Sequence, residues 1–315
     1  MKYIKDLTEG ARVSDIYLVK SRTSAVTKTG KDYWNVVLQD KSGAVDAKVW
    51  DLGSAGIEEF EAKDYVDIVG TVTMFNGALQ VKIERARVAH EGEYEPANYL
   101  PVSKYNIDEM MAELVTMIEK TKNQYLKQLL RSFFVEDAEF ISKFRFSSAA
   151  KSVHHSFVGG LLEHTLSVAK NCEYFAAHYE MLNRDLLVAA AICHDIGKVR
   201  EFVPYPENDY SDEGNLLGHI VIGAEMVGER IAAIPGFPAN LANELRHCIL
   251  AHHGELEFGS PKKPALIEAV ALSFADNIDA KMETFMEALD SSLNPAEWMG
   301  YNKFIESNIR GTRME

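Results

Sequence analysis

The run Leu186-Leu187-Val188-Ala189-Ala190-Ala191-Ile192-Cys193-His194-Asp195-Ile196-Gly197-Lys198 is an apolar helical stretch that closes on an adjacent histidine and aspartate. A His-Asp pair alone is a common dipeptide. Here it stands inside an ordered series. Upstream lies His164, in Leu161-Leu162-Glu163-His164-Thr165; downstream come His219, the pair His252-His253, and Asp276 in Ala275-Asp276-Asn277. Nine of the ten histidines fall between His154 and His253. Imidazoles and carboxylates suit Zn, Mn or Fe, and no cysteine takes part in the spacing. A two-metal site needs several such ligands plus a carboxylate able to bridge, and Asp195 is the natural bridge. The C-terminal two-thirds therefore reads as a metal-dependent phosphohydrolase.

From Asp108 onward the apolar pattern is helical almost to the end. Leu161-Leu162, Leu166 and Ala169 place His164 on a buried helix. His219 opens the helix of Ile220, Ile222 and Met226, and His252-His253 close the helix of Leu245 and Ile249, stopped by Gly254. Asp276 sits in a helix with Ile267, Val270 and Leu272. Ligands at the ends and inner faces of several helices fit a metal site in an all-α bundle.

From about Ser152 to Lys281 this series resembles the HD-domain superfamily of metal phosphohydrolases. The resemblance implies two divalent metals. Asp195 would bridge them; His164, His194 and Asp276 would complete one site; His219 with His252 or His253 would complete the other. Which of the two adjacent histidines binds metal, and which faces substrate, stays open at this level. Lys198 resembles the lysine of a His-Asp-x-x-Lys run and would neutralise a phosphoryl oxygen in a catalytic role beside Asp195. Its plainer reading is a solvated helix-end lysine. His154 and His155 precede Gly159-Gly160, where something can approach the backbone closely, and are candidates for substrate contact. Some HD enzymes hold a third metal with a Glu one helical turn before the first histidine; here that place is Gly160.

The first ninety residues read as short strands. Trp34, Val36 and Leu38 alternate with Tyr33, Asn35 and Val37; after the turn at Asp40-Lys41-Ser42-Gly43, Val45, Ala47 and Val49 alternate again. Asn76-Gly77 between two further runs is a hairpin signal. Ile57-Glu58-Glu59-Phe60 is a short-helix candidate, and five strands with a helix after the third is the OB-fold order. The segment from Gly30 to Trp50 also resembles OB-fold nucleic-acid-binding domains. Trp34 shares parity with the aliphatic residues and belongs to the core. Tyr33 and Trp50 fall on the other face, where they would stack bases, with Lys48 and Lys82 placed to meet phosphates; a half-exposed sheet surface is the alternative.

The expected organisation is multidomain: an all-β OB-fold barrel over 1–90, a linker over 91–104, connecting helices over 105–150, an all-α HD-domain helical bundle over 151–290, and a C-terminal tail over 291–315. The acidic stretch Glu91 to Pro101, with Pro96 and Pro101, supports the linker. The net charge is −14; thirteen basic against sixteen acidic residues give the first hundred −3, and the remainder holds −11. That argues against a surface that coats nucleic acid generally. Cys172, Cys193 and Cys248 form no CxxC and no even disulfide set, which suits a reducing cytosol. No run approaches a membrane span or a signal peptide, so a cytoplasmic protein without a membrane partner is expected.

An N-terminal OB fold joined to this HD domain, with His154-His155-Ser156-Phe157-Val158-Gly159-Gly160-Leu161-Leu162-Glu163-His164-Thr165 at the junction, resembles the bacterial 3′→5′ exoribonuclease family typified by YhaM. The resemblance implies trimming of single-stranded RNA, with single-stranded DNA as a second candidate substrate, releasing nucleoside 5′-monophosphates. It implies two divalent ions, Mn²⁺ first, with Fe, Zn, Co or Mg as alternatives. Assembly into a homo-oligomer stays open. Two rival readings remain: an HD phosphodiesterase acting on small or cyclic nucleotides, and a non-catalytic OB-fold regulator of nucleic acid.

Overall fold

Buried and exposed residues alternate along five strands, β1 (Arg12–Val26), β2 (Asp32–Asp40), β3 (Gly43–Val49), β4 (Tyr65–Phe75) and β5 (Ala78–Val88). In this computed structural model they close into a barrel of order β1-β2-β3-β5-β4, antiparallel except for the parallel pair β3–β5. The structure describes residues 1–313 apart from 28, 76, 96–97, 152–154, 291 and 293–294. Trp34, Val36, Leu38, Val45, Ala47 and Val49 point inward, as their parity requires. The expected Asn76-Gly77 turn involves Asn76, which lies outside the described residues; the flanking strands pair from Phe75 and Ala78 outward.

Two expectations for this region change. No helix forms at Ile57–Phe60. Ile57 makes an isolated parallel bridge to Ala86, and the Glu58 amide donates to the Ala86 carbonyl at 2.8 Å. Backbone groups committed to β5 cannot close a helical turn. Phe60 instead caps the core, edge-on to Trp34 with centroids 5.3 Å apart. Most of the expected 91–104 linker also packs on the barrel. Tyr94 stacks on Tyr65 at 3.8 Å, Tyr99 meets Tyr65 edge-on, and the Lys41 amide donates to the Asn98 carbonyl at 2.9 Å. Apolar ring area thus outweighs the acidic composition there. The boundary between the two compact units falls after Val102.

The second unit, Ser103–Glu315, is helical. It contains α1 (Ile107–Glu119), α2 (Gln124–Phe134), α3 (Ala138–Phe146), α4 (Gly160–His178), α5 (Arg184–Cys193), the short α6 (Lys198–Glu201), α7 (Asp212–Ala232), α8 (Ala239–Leu250) and α9 (Ile267–Asp290). Asn106, Asn123, Asp137, Asn183 and Ser211 cap their helices through side-chain oxygens. Every residue of α5 from Leu186 to Cys193 is buried, so this helix is the axis of the bundle. Cys172, Cys193 and Cys248 are buried and unpaired. Where a plain tail was expected, Tyr301–Asn302 and Ser307–Asn308 pair as a small antiparallel ribbon, and Ile309 is buried. No described helix is long and apolar enough to cross a membrane.

Candidate metal centre

α5 ends at Cys193, so His194 and Asp195 project from the C-terminal end of the most buried helix. Around them gather His164 from α4, His219 from α7, His252 and His253 from the turn after α8, and Asp276 from α9. His219 reaches the site because α7 breaks at Gly218, whose φ of 73° and ψ of 156° restart the helix at the histidine. Gly197 lets α6 lie against α7: a Cβ there would come within 2.1 Å of the His219 carbonyl oxygen.

The contacts divide at Asp195. On one side, His164 Nε2 lies 3.1 Å from His194 Nε2, 3.3 Å from Asp195 Oδ2 and 3.2 Å from Asp276 Oδ1. His194 Nε2 is 3.3 Å from the same Oδ2. On the other side, Asp195 Oδ1 is 3.4 Å from His219 Nε2 and 3.6 Å from His252 Nε2. His219, His252 and His253 bring ring nitrogens within 4.8 Å of one another. Two ligands each ~2.1 Å from a single ion stand roughly 3.0 Å apart when adjacent and up to about 4.2 Å when opposite, and the Asp195 contacts of 3.3 to 3.6 Å on its two sides fall in that range.

Ring orientation is fixed from behind. The Nδ1–H groups of His194, His252 and His253 donate to the carbonyls of Ala191, Ile249 and Phe258, each at 2.7 Å. A carbonyl only accepts, so Nδ1 carries the proton and Nε2 presents a lone pair to the centre. His164 Nδ1 donates to Asp279 Oδ2 at 2.7 Å and His219 Nδ1 to Glu201 Oε1 at 2.9 Å. Asp195 Oδ1, His219 Nε2 and His252 Nε2 are buried without a hydrogen-bond partner among the described residues. Buried acceptors rarely stay unsatisfied. A converging set of orphaned lone pairs fits a cation, and two divalent ions fit these residues.

The electrostatics agree. Burial opposes the Asp195 carboxylate, yet the Lys198 ammonium and the adjoining His194 and His164 rings hold its pKa well below the usual range. Burial and the neighbouring His253 and His194 push His252 well below the ordinary histidine value; burial and His219 lower His253. Both rings are therefore neutral and ready to coordinate. His164 goes the other way: despite burial, Asp195, Asp276 and Asp279 raise it well above the ordinary value. Its lone pair faces that of His194 at 3.1 Å, so without a metal a proton fills the gap.

The Lys198 ammonium sits 2.6 Å from Asp195 Oδ2 and is largely buried, which excludes the solvated-lysine alternative. It lines a cleft of about 430 Å³ together with Asp195, His252, His253, Asn277 and Asp276. His155 does not enter this cleft; its ring is buried against Asp279 and Glu163. His154 lies outside the described residues. Two supporting acids escaped the sequence reading, Asp279 and Glu201. Asp279 had a signal, standing three residues after Asp276 on the same helical face. In the barrel unit, Tyr33 and Trp50 stack on each other at 4.6 Å, and Lys48 lies 6.0 Å from the Tyr33 ring. Lys82 is the register partner of Lys48.

Residues 161–281 match the HD domain family. Barrel, bundle and His/Asp clusters together define an HD-domain protein with an N-terminal OB fold. The chain is 34% identical over 292 residues to the 3′-5′ exoribonuclease YhaM of Geobacillus sp. (strain WCH70), covering 92% of this chain and 88% of that protein. It is 36% identical over 293 residues to the protein of the same name from Bacillus velezensis, covering 92% and 91%. The chain belongs to the YhaM family of 3′-5′ exoribonucleases. Among solved structures, it is similar to the second OB-fold domain of replication protein A from Methanococcus maripaludis, at 18% identity and a TM-score of 0.24 over 30% of this chain and 100% of that one.

Proposed function

We propose that this chain is a metal-dependent 3′→5′ exoribonuclease whose reaction centre is the pair of clusters around Asp195. The observation that carries the reading is the division of one carboxylate between two sets of imidazoles, with three buried lone pairs left unsatisfied. His164, His194 and Asp276 would hold one ion with Asp195 Oδ2. His219, His252 and His253 would hold the second with Oδ1, both adjacent histidines serving as ligands. When bound, such ions supply Lewis acidity at the phosphoryl oxygen and lower the pKa of the attacking water. Lys198 stands at the cleft wall to meet a phosphoryl oxygen as charge develops. The cleft is in the size range of small-ligand sites and would take the terminal nucleotide of a strand.

The proposed substrate is single-stranded RNA, with single-stranded DNA second, and the proposed product is nucleoside 5′-monophosphate. Nitrogen and oxygen donors without thiolate are compatible with Mn²⁺, which the family resemblance puts first, with Fe, Zn, Co and Mg to be compared. Tyr33, Trp50, Lys48 and Lys82 would hold the strand on the barrel by stacking and phosphate contact, largely without sequence preference. Unpaired, buried cysteines support a reducing compartment, the cytoplasm.

The test is RNA labelled at either end, incubated with purified protein and a panel of divalent ions. A 5′ label should give a ladder shortening one nucleotide at a time, and a 3′ label should release mononucleotide at once. Turnover confined to cyclic or small nucleotides would transfer the centre to the phosphodiesterase reading.

A further inference from the structure

A second cleft, of about 380 Å³, opens between α1, α4 and α9. Its walls carry Glu109, Glu113, Glu163 and Glu283, and the half-exposed Lys170 is paired with Glu113 at 2.8 Å. His155 lies against it, its side chain only 3% exposed. His155 Nε2 is 2.9 Å from Asp279 Oδ2, but Nδ1 has no hydrogen-bond partner among the described residues. The nearest carboxylate oxygen, Glu163 Oε1, stands 3.9 Å from it, too far for a hydrogen bond. Glu163 Oε2 is held by the Ser103 hydroxyl, which leaves Oε1 as the oxygen that faces the ring. The ligand atoms of His155, Glu163 and Glu283 all lie within 4.8 Å of one another, and all three residues are buried.

We infer that His155, Glu163 and Glu283 form a further divalent-cation site, separate from the Asp195 clusters and linked to them through Asp279. With Nε2–H donated to Asp279, His155 Nδ1 is a bare lone pair facing two buried carboxylates. A buried ring nitrogen left unpartnered against two buried carboxylates is destabilising. A cation ~2.1 Å from each relieves this, and adjacent ligands of an octahedron are then ~3.0 Å apart and opposite ones ~4.2 Å, bracketing the observed separation. One imidazole and two carboxylates suit Mn²⁺, Fe²⁺ or Zn²⁺, and the open cleft admits the waters that complete the shell. The grouping of His155, His164 and Asp279 is no rival, because hydrogen bonds of 2.9 and 2.7 Å consume it.

This place differs from the one where some HD enzymes carry an extra Glu. At Gly160 any Cβ would come within 2.0 Å of the His155 carbonyl oxygen, so no side chain fits there. His155 itself sits at φ 61°, left-handed for a residue other than glycine. A cation on Nδ1 keeps the His155 proton on Nε2. That proton holds Asp279 Oδ2, which also receives the Nδ1–H of His164. Occupancy would therefore steady a ligand of the Asp195 centre from behind.

The experiment uses full-length protein stripped of metal and titrated with Mn²⁺, with bound ion counted by elemental analysis and each sample followed by thermal melting. The parent should bind one Mn²⁺ more than Glu283→Gln and one more than Glu163→Gln. Without metal, Glu283→Gln should melt above the parent, since it removes a charge beside Glu163; with Mn²⁺ the order should reverse. An Asp195→Asn chain should lose ions from the main centre yet keep the one that Glu283→Gln abolishes, so the two assignments can fail separately. A Mn²⁺-soaked crystal of the parent should show an anomalous peak between His155 Nδ1 and the two carboxylates. Equal Mn²⁺ content in the parent and both Gln variants overturns the proposal. So does an empty position there beside filled peaks at Asp195.

Discussion

Asp195→Asn removes one charge from the middle of the centre and keeps the side chain's volume. In the parent, Oδ2 meets Lys198 Nζ at 2.6 Å and faces His164 and His194, while Oδ1 faces His219 and His252. An amide offers one acceptor oxygen and turns an NH2 group toward the other cluster, so it cannot serve both. Losing the shared ligand removes several kcal/mol of transition-state stabilisation. At ~1.4 kcal/mol per tenfold, about 4 kcal/mol corresponds to a rate loss on the order of a thousandfold. Asp195→Ala is a poorer probe. Lys198 is 15% exposed on its side chain and would be stranded, and breaking a buried ion pair costs ~3–5 kcal/mol. Folding and catalysis would then fall together. The assay combines initial rates on 5′-labelled RNA, elemental analysis and a circular dichroism melt on one preparation. His247→Ala is the control. Its Nε2 accepts from the Ala265 amide at 2.9 Å, away from the centre, so the rate should hold while stability drops by ~1 kcal/mol. An Asp195→Asn protein with near-parental rate and full metal content would refute the shared-ligand argument.

Asp279→Asn should lower Mn²⁺ affinity by ~10–100-fold, because it weakens the hydrogen bond that orients His164; an unchanged titration curve would remove Asp279 from the centre. On the barrel, Tyr33→Ala and Trp50→Ala should each cost ~1–3 kcal/mol in single-strand binding, measured by anisotropy without metal. Because the two rings stack on each other, the double variant should lose less than the sum. Lys48→Ala and Lys82→Ala should instead flatten the salt dependence, by a slope of about 0.7 per phosphate contact; four variants that bind like the parent would take the strand off this face. The raised pKa of His164 predicts that metal loading at neutral pH expels a proton and that Mn²⁺ affinity falls as pH drops. The sign for stability follows: protonated His164 stabilises the metal-free fold below the ordinary histidine pKa, and that contribution is lost as pH rises through the raised value. The melting increment from Mn²⁺ should therefore grow with pH, and calorimetry in buffers of different ionisation enthalpy should count the proton. Proton-free binding would contradict the reading.

The residues that converge on Asp195 were legible because a metal restricts residue type and helical phase fixes direction. His164, His194 and Asp276 each sit on an apolar helical pattern whose inner face could be read. The choice between His252 and His253 was not legible. On a helix, neighbours diverge by about 100°, but α8 ends at Leu250 and the following turn brings both rings to the centre, 4.3 Å apart. On the barrel, parity separated Trp34 from Tyr33, yet parity says nothing of ring mates, and so the stacking of Tyr33 on Trp50 was hidden. The helix expected at Ile57–Phe60 and the free linker failed for a related reason: local propensity lost to barrel edges and ring faces supplied from elsewhere in the chain. The deepest gap concerns the groups behind the imidazoles. A ligand must be one of a few side chains, but a ring's second nitrogen accepts any oxygen as partner. Here the main-chain carbonyls of Ala191, Ile249 and Phe258 do that work for three rings. A carbonyl carries no side-chain identity, so no pattern of residue types encodes it. It becomes visible only once helix ends have been placed, which is why tautomers, and with them the direction of every lone pair in the centre, belong to the fold.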